Sequence, residues 1–298
     1  MVRPAHFGYN QETAGNNAFQ SNDETLPIDE IEQRAREEFD TFVHELREAG
    51  IDIIVVEDTP DPLKPDAVFP NNWITFHEEG TIVTYPMFAS QRRKERREDI
   101  IRDLSARYGY TDRYQMEQSE EDGVFLEGTG SMILDRSNRI AYACLSVRTN
   151  KELLEAFSKK MNYEVVAFNA LDMEGEPIYH TNVMMALGET FVLICLDTVR
   201  DEEERQQLLD SFDRTNKQVI GISLEQMMAF AGNALQVKNK KGDKFLVMSE
   251  QAYRSLSPNQ QKDIEGHTGI LFSPLKVIEK YGGGSARCMM AEVFKPGN

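Results

Sequence analysis

The sequence predicts a mixed α/β fold built of five similar units closed into a ring. Three observations support this expectation. A strand pair, an amphipathic helix and a further strand recur in the same order. The recurrences lie 50-odd residues apart. The two ends of the polypeptide together supply one more unit of the same kind.

The first unit reads as strands at about 67–76 and 81–85, divided by the turn Glu78-Glu79-Gly80, with a charged amphipathic helix at about 91–108. The second has strands at about 130–135 and 139–145 around Arg136-Ser137-Asn138, a helix at 150–161 and a strand at 163–168. The third follows with strands at about 182–187 and 190–196 around Gly188-Glu189, a helix at 201–213 and a strand at 217–222. The fourth has strands at about 234–238 and 244–248 around Lys240-Lys241-Gly242, a helix at 250–264 and a strand at 268–272. The fifth takes one strand from 289–294 and its partner from residues 3–9. Residues 28–49 then form its helix and 51–56 its last strand. Pairing of the first and last strands would shut the ring with the protein's own termini.

With 40% hydrophobic and 28% charged residues, the sequence is able to bury a large core. No composition shift or low-complexity run marks a boundary, so residues 1–298 read as a single domain. The formal net charge is -17, from 50 acids against 33 bases. Such a balance repels phosphate backbones and anionic lipid, which argues against nucleic-acid and membrane partners. The one basic cluster, Arg92-Arg93-Lys94 with Arg96-Arg97, is broken by Glu95 and followed by Glu98-Asp99. No apolar leader or membrane-length run is present, and the protein reads as cytoplasmic. Three cysteines without metal-like spacing fit neither a disulfide scaffold nor a zinc site. The acidic helix faces fit solvation or a contact in a homo-oligomer equally well.

Before the five strand pairs stand Asp66, Glu127, His180, Asn233 and Cys288, at intervals of 61, 53, 53 and 55 residues. Equivalent positions in a closed ring lie equally far from its axis, so these residues should converge on one central pocket. A thiolate is a strong nucleophile, but a free thiol titrates at roughly 8.5 and needs help near neutrality. An imidazole supplies that help and can later protonate a leaving amine. A carboxylate such as Glu127 can orient the histidine or a planar N–H-bearing group. Cys288, His180 and Glu127 together can therefore run covalent substitution at a planar carbon. Cys288 follows the flexible run Gly282-Gly283-Gly284-Ser285-Ala286-Arg287, whereas Cys144 and Cys195 sit in apolar strands and read as small buried hydrophobes. His6, His44, His77 and His267 read as structural, and Lys94, Arg96 and Arg97 as a solvated helix face.

Several fragments, in this order, resemble the guanidine-modifying superfamily with the five-bladed β/α propeller (pentein) fold. This superfamily includes arginine deiminases, dimethylarginine dimethylaminohydrolases, amidinotransferases and citrulline hydrolases. Asp66-Ala67-Val68-Phe69-Pro70-Asn71-Asn72 with 81–86, Ser90-Gln91-Arg92-Arg93-Lys94-Glu95 and Leu145-Ser146-Val147-Arg148-Thr149-Asn150 are similar to dimethylargininase segments. The run from Gly282 to Met289 resembles the arginine deiminase cysteine loop. Arg3-Pro4-Ala5-His6-Phe7-Gly8-Tyr9-Asn10 and Asn16-Asn17-Ala18-Phe19 resemble the citrulline-hydrolase branch.

The resemblance implies a hydrolase without metal or organic cofactor, acting on a small amino acid. It implies Cys288 as nucleophile, His180 as general acid/base and Glu127 as a substrate-side carboxylate. Asp66 would receive the α-ammonium group and Phe69 would pack against the planar head. Arg92 (or Arg93) and Arg148 would hold the α-carboxylate. A cation at a helix start opposes the macrodipole, which gives Arg92 a separate claim to a role.

Three departures bear on substrate. Asn72, Asn182 and Gly130 stand where arginine deiminases have acids, and dimethylargininases share the acid replaced at Asn72. A closed pocket without those acids fits a guanidinium poorly, while an asparagine amide matches both the carbonyl and the N–H of a ureido group. The expectation is therefore citrulline converted to ornithine, carbon dioxide and ammonia. The rivals are hydrolysis of arginine or a methylated arginine to citrulline, an amidinotransferase, and a non-catalytic binding propeller.

Overall fold

The computed structural model describes residues 1–21 and 26–297. It contains four three-stranded sheets and one two-stranded sheet, each separate from the others. In the first sheet Ile74–Phe76 pairs antiparallel with Thr81–Thr84, which pairs parallel with Asp112–Gln115. The same design recurs in Ile133–Asp135, Ile140–Cys144 and Glu164–Phe168. It recurs again in Met185–Leu187, Phe191–Ile194 and Gln218–Gly221. The fourth copy is Leu235–Lys238, Lys244–Ser249 and Gly269–Ser273. The parallel crossover in each sheet carries a helix whose apolar face covers the sheet.

The expected order of elements is therefore present, with corrections that have local causes. Residues 67–73 are not strand, because Pro70 lacks an N–H for a ladder and starts the 3-10 turn Pro70–Asn72. The helix expected over 91–108 begins at Glu98, after a separate 3-10 turn at Arg92–Glu95. Glu98 and Asp99 suit the positive helix start, and the preceding cations do not. Arg92 is thus outside the helix, and the macrodipole argument for it falls. The helix expected over 250–264 is divided by Ser257, which caps a new helix with Pro258 at its first position. The strand Asp112–Gln115 has no counterpart in the sequence pattern, since its polar, half-exposed side chains show no apolar alternation.

The largest correction concerns the fifth unit. Its sheet consists of Val2–Arg3 paired in parallel with Val56–Glu57. Residues 289–294 form no strand, and Pro4 interrupts the donors of 3–9. The N–H groups of Met289 and Met290 turn back onto the carbonyls of Ser285 and Arg287, so they are unavailable to a ladder. No closed sheet is present among the described residues. The two ends still meet by packing: Phe7, Phe39, Val68, Phe69, Tyr281 and Met289 share one core cluster. Helix Ile28–Glu48 supplies Ile31, Ala35, Phe39, Phe42, Val43 and Leu46 from a single face to that part of the core.

No helix among the described residues is long and apolar enough to cross a membrane.

Candidate active site

Of the five regularly spaced residues, Asp66, His180 and Cys288 border one small cavity, whereas Glu127 and Asn233 are not part of its wall. It is lined by Asp66, Phe69, Asn72, Arg92, Arg148 and His180, with Cys288, Tyr179 and the Gly282–Gly284 loop completing the wall. Thr13 and Asn17 also border it. The space left is about 20 Å³, close to one water molecule. An amino acid can enter only if part of this lining is displaced, and the segment with Thr13 and Asn17 belongs to no sheet.

Glu127 and His180 stand immediately before short helical turns, Gly128–Ser131 and Thr181–Met184. His180 Nε2 lies 2.8 Å from Glu127 Oε2, and Glu127 Oε1 accepts from the Phe88 N–H at 2.8 Å. Burial pushes the Glu127 carboxyl up, but nearby Arg148 and the His180 hydrogen bond outweigh it and hold it down at about 2. Burial drives the His180 imidazole down to about 4, against the opposing pull of Glu127. At neutral pH the pair is therefore a carboxylate and a neutral imidazole. An ionised carboxylate only accepts, so Nε2 carries the proton and Nδ1 keeps a free lone pair. Nδ1 is then the nitrogen able to accept a proton. Glu127 is fully buried and outside the cavity wall, where its contact is with His180.

Gly130 leaves room for both Asn72 and this histidine. A Cβ there would collide with Asn72 Nδ2 and lie 2.7 Å from His180 Nδ1. The acid that stands at this place in arginine deiminases would not fit. Asn72 Oδ1 accepts from Arg92 Nη1 at 2.8 Å, and its Nδ2 has no partner.

Arg92 reaches the pocket, yet its guanidinium is largely committed. It donates to both oxygens of Glu95 at 2.9 Å, to Asn72 and to the Phe69 carbonyl at 3.1 Å. Arg93 bonds the Met87 carbonyl and stacks over Phe125 away from the cavity wall. Arg96 and Arg97 are not a solvated face, since they pair with Glu120 and Asp99. Arg148 is buried against Tyr179, 5.0 Å from its ring centre, with Glu127 3.6 Å from Nη1. Its Nη2 donates to the Thr13 carbonyl and to Asn16.

Asp66 accepts from Asn10 Nδ2 at 2.8 Å through Oδ2, while Oδ1 is unpartnered. Burial raises its pKa, against the pull of Arg92. Phe69 lies with its ring on the glycine loop. Asn182 is buried and outside the cavity wall, with its Nδ2 3.4 Å from Cys288 Sγ. Cys144 and Cys195 are buried elsewhere, and burial pushes their thiols up to about 12 and about 11.

Asn233, Tyr179, Thr13, Asn16 and Asn17 join the site without a role that sequence reasoning assigns. Asn233 holds the right ring position, but its amide carries no chemical signal beside acids, a histidine and a cysteine. Asn16-Asn17 signals only through its resemblance, and Tyr179 only through its place next to His180. Among the described residues no group of three or more His, Cys, Asp or Glu is arranged to hold a metal ion.

No curated protein matches this sequence. Solved structures that share the fold include the following three. Full-length ArgZ, an arginine dihydrolase from the ornithine-ammonia cycle in cyanobacteria, is 20% identical with a TM-score of 0.76, over 99% of the present protein and 40% of ArgZ. The protein thus spans about two fifths of full-length ArgZ. A cysteine-to-serine form of the ArgZ N-terminal domain, bound to substrate, is 19% identical with a TM-score of 0.75, over 99% and 97% of the two sequences. A dimethylarginine dimethylaminohydrolase variant, as an adduct with S-methyl-L-thiocitrulline, is 17% identical with a TM-score of 0.60, over 97% and 96%. The model of the family described as N,N dimethylarginine dimethylhydrolase, eukaryotic, matches residues 3–295. The protein belongs to that family, within the guanidine-modifying pentein superfamily.

Proposed function

We propose that the protein is a cysteine-dependent hydrolase that breaks a C–N bond in the head group of a ureido- or guanidino-amino acid, with citrulline the substrate its pocket suits best. The observation that carries the choice is the amide of Asn72. Arg92 can only donate, so the Asn72 oxygen must face it and the NH₂ must face the other way, where it has no partner. A ureido oxygen accepts from that NH₂. A guanidinium has no acceptor and leaves it unpaired, at a cost of about 1–3 kcal/mol.

In this reading Cys288 attacks the ureido carbon, its thiol proton passing to His180 Nδ1. The imidazolium, stabilised by Glu127, returns that proton to the departing δ-nitrogen. The bond to nitrogen breaks, ornithine leaves and the carbamoyl group stays on sulfur. His180 then takes a proton from water, whose oxygen adds to the carbamoyl carbon. Fission of the S–C bond restores the thiol and frees carbamic acid, which decomposes to carbon dioxide and ammonia. Asp66 Oδ1 is the acceptor for an α-ammonium group, and Arg148 holds the α-carboxylate once Thr13 and Asn16 move off it. No cofactor is needed. The five sheets act as blades of one five-bladed β/α propeller domain, which accounts for the convergence of their leading turns.

A second reading, a methylated arginine as substrate, is favoured by the name of the matching family. Incubation with citrulline, arginine and dimethylarginine in turn, followed by product analysis, separates the two. Ornithine with ammonia from citrulline, abolished in Cys288→Ser, is the expected result. Turnover of either guanidine to citrulline, with citrulline itself inert, would overturn the ureido reading and leave the cysteine mechanism standing.

A further inference from the structure

Behind the cavity wall a pair of buried side chains meets the sulfur, and the mechanism above does not use them. Asn233 leads the turn of the fourth unit. Its Oδ1 accepts from the Arg287 N–H at 3.1 Å, and its Nδ2 donates to the Asn182 carbonyl at 2.9 Å. These two backbone partners fix the amide's orientation without ambiguity. The same Nδ2 lies 3.2 Å from Cys288 Sγ and can donate its second N–H to the sulfur, while Oδ1, 3.6 Å away, can accept from the S–H of the thiol form. Asn182 brings another amide nitrogen to 3.4 Å. Gly232 makes the approach possible, because a Cβ there would lie 2.5 Å from the Val183 carbonyl oxygen. Asn182 and Asn233 are both fully buried.

We infer that Asn233, with Asn182, forms an uncharged two-donor cradle that stabilises the Cys288 thiolate. The inference rests on Cys288 as nucleophile. Two N–H groups directed at a buried anion do the work that a cation does at other reactive cysteines, without adding a charge that would need its own partner. They also hold the sulfur in place as it changes from thiol to thiolate and back. The charged and titratable groups around the sulfur are Arg287 from its own turn and, in the wall of the same cavity, Tyr179 and His180 from the third unit, Asp66 and Arg92 from the first, and Arg148 from the second.

Asn233→Asp keeps the size and the acceptor toward Arg287 while it replaces the donor with a negative oxygen. The rate of Cys288 alkylation by iodoacetamide, followed against pH on the intact protein, should have its midpoint raised by about one unit or more, a tenfold loss of thiolate at fixed pH. Asn182→Asp should move it the same way, and Asn233→Gln, which keeps the NH₂ but misplaces it, should fall between. Cys144 and Cys195 serve as buried references. An unshifted midpoint in a folded Asn233→Asp protein, or in Asn182→Asp should the first not fold, overturns the cradle while the nucleophile reading survives. If Cys288 in the unaltered protein reacts no faster than Cys144 and Cys195, the nucleophile reading falls and the cradle falls with it.

Discussion

Asn72 shows how a single amide can set the polarity of a pocket. Held by Arg92 through its oxygen, it has as its remaining hydrogen-bonding capacity the unpartnered NH₂, which on the proposed reading meets the substrate. Asn72→Asp would exchange that donor for a carboxylate and restore an acceptor for a cationic head. Against citrulline, kcat/KM should fall roughly 10-fold or more, consistent with one buried hydrogen bond replaced by a repulsive contact, and the ratio of guanidine to citrulline turnover should rise. A uniform loss on all substrates would place Asn72 in the scaffold alone. The residues legible in the sequence were those with reactive or charged side chains, namely Cys288, His180, Glu127 and Asp66. Asn233 was not legible in that way. An asparagine gains a role only from what its amide faces, and that is set by Arg287 and Asn182 from other turns.

At the scale of elements, the cysteine loop is anchored by the π-helical turn Ile278–Gly282. There Glu279 Oε1 accepts from Ser285 Oγ at 2.6 Å. Burial raises the Glu279 pKa from 4.5 to about 7, against the opposing pull of Ser249 and Ser285. Between those values the unfolded protein gives up the proton and the folded protein keeps it, so native stability falls as pH rises through this window. Glu279→Gln keeps an acceptor for Ser285 and has no such loss. The variant should therefore gain on the native protein between pH 5 and pH 8, by on the order of 3 kcal/mol in urea unfolding. An equal difference at both pH values would mean that Glu279 does not titrate there. Helices with clean apolar faces were legible to within a residue or so, as Lys151–Met161 and Glu202–Arg214 illustrate. Strand Asp112–Gln115 and the Arg92–Glu95 turn were not, because pairing partners and buried ion pairs define them where periodicity does not.

Across the whole molecule, the repeat spacing was the most informative property of the sequence. It brings residues separated by up to 222 positions to one cavity, although the fifth sheet forms only between Val2–Arg3 and Val56–Glu57. Closure of the termini by a strand at 289–294 was misread, since the local turn at Ser285–Arg287 competes for the same N–H groups. On the proposed reading the arrangement serves one reaction: attack by Cys288 with proton traffic through His180. The most direct test is intact and peptide mass analysis of protein quenched in acid during turnover of citrulline. A carbamoyl adduct is predicted on the peptide that contains Cys288, absent in Cys288→Ser and absent from the peptides that contain Cys144 and Cys195. Product accumulating with no adduct on Cys288, or an undiminished rate in Cys288→Ser, would contradict it.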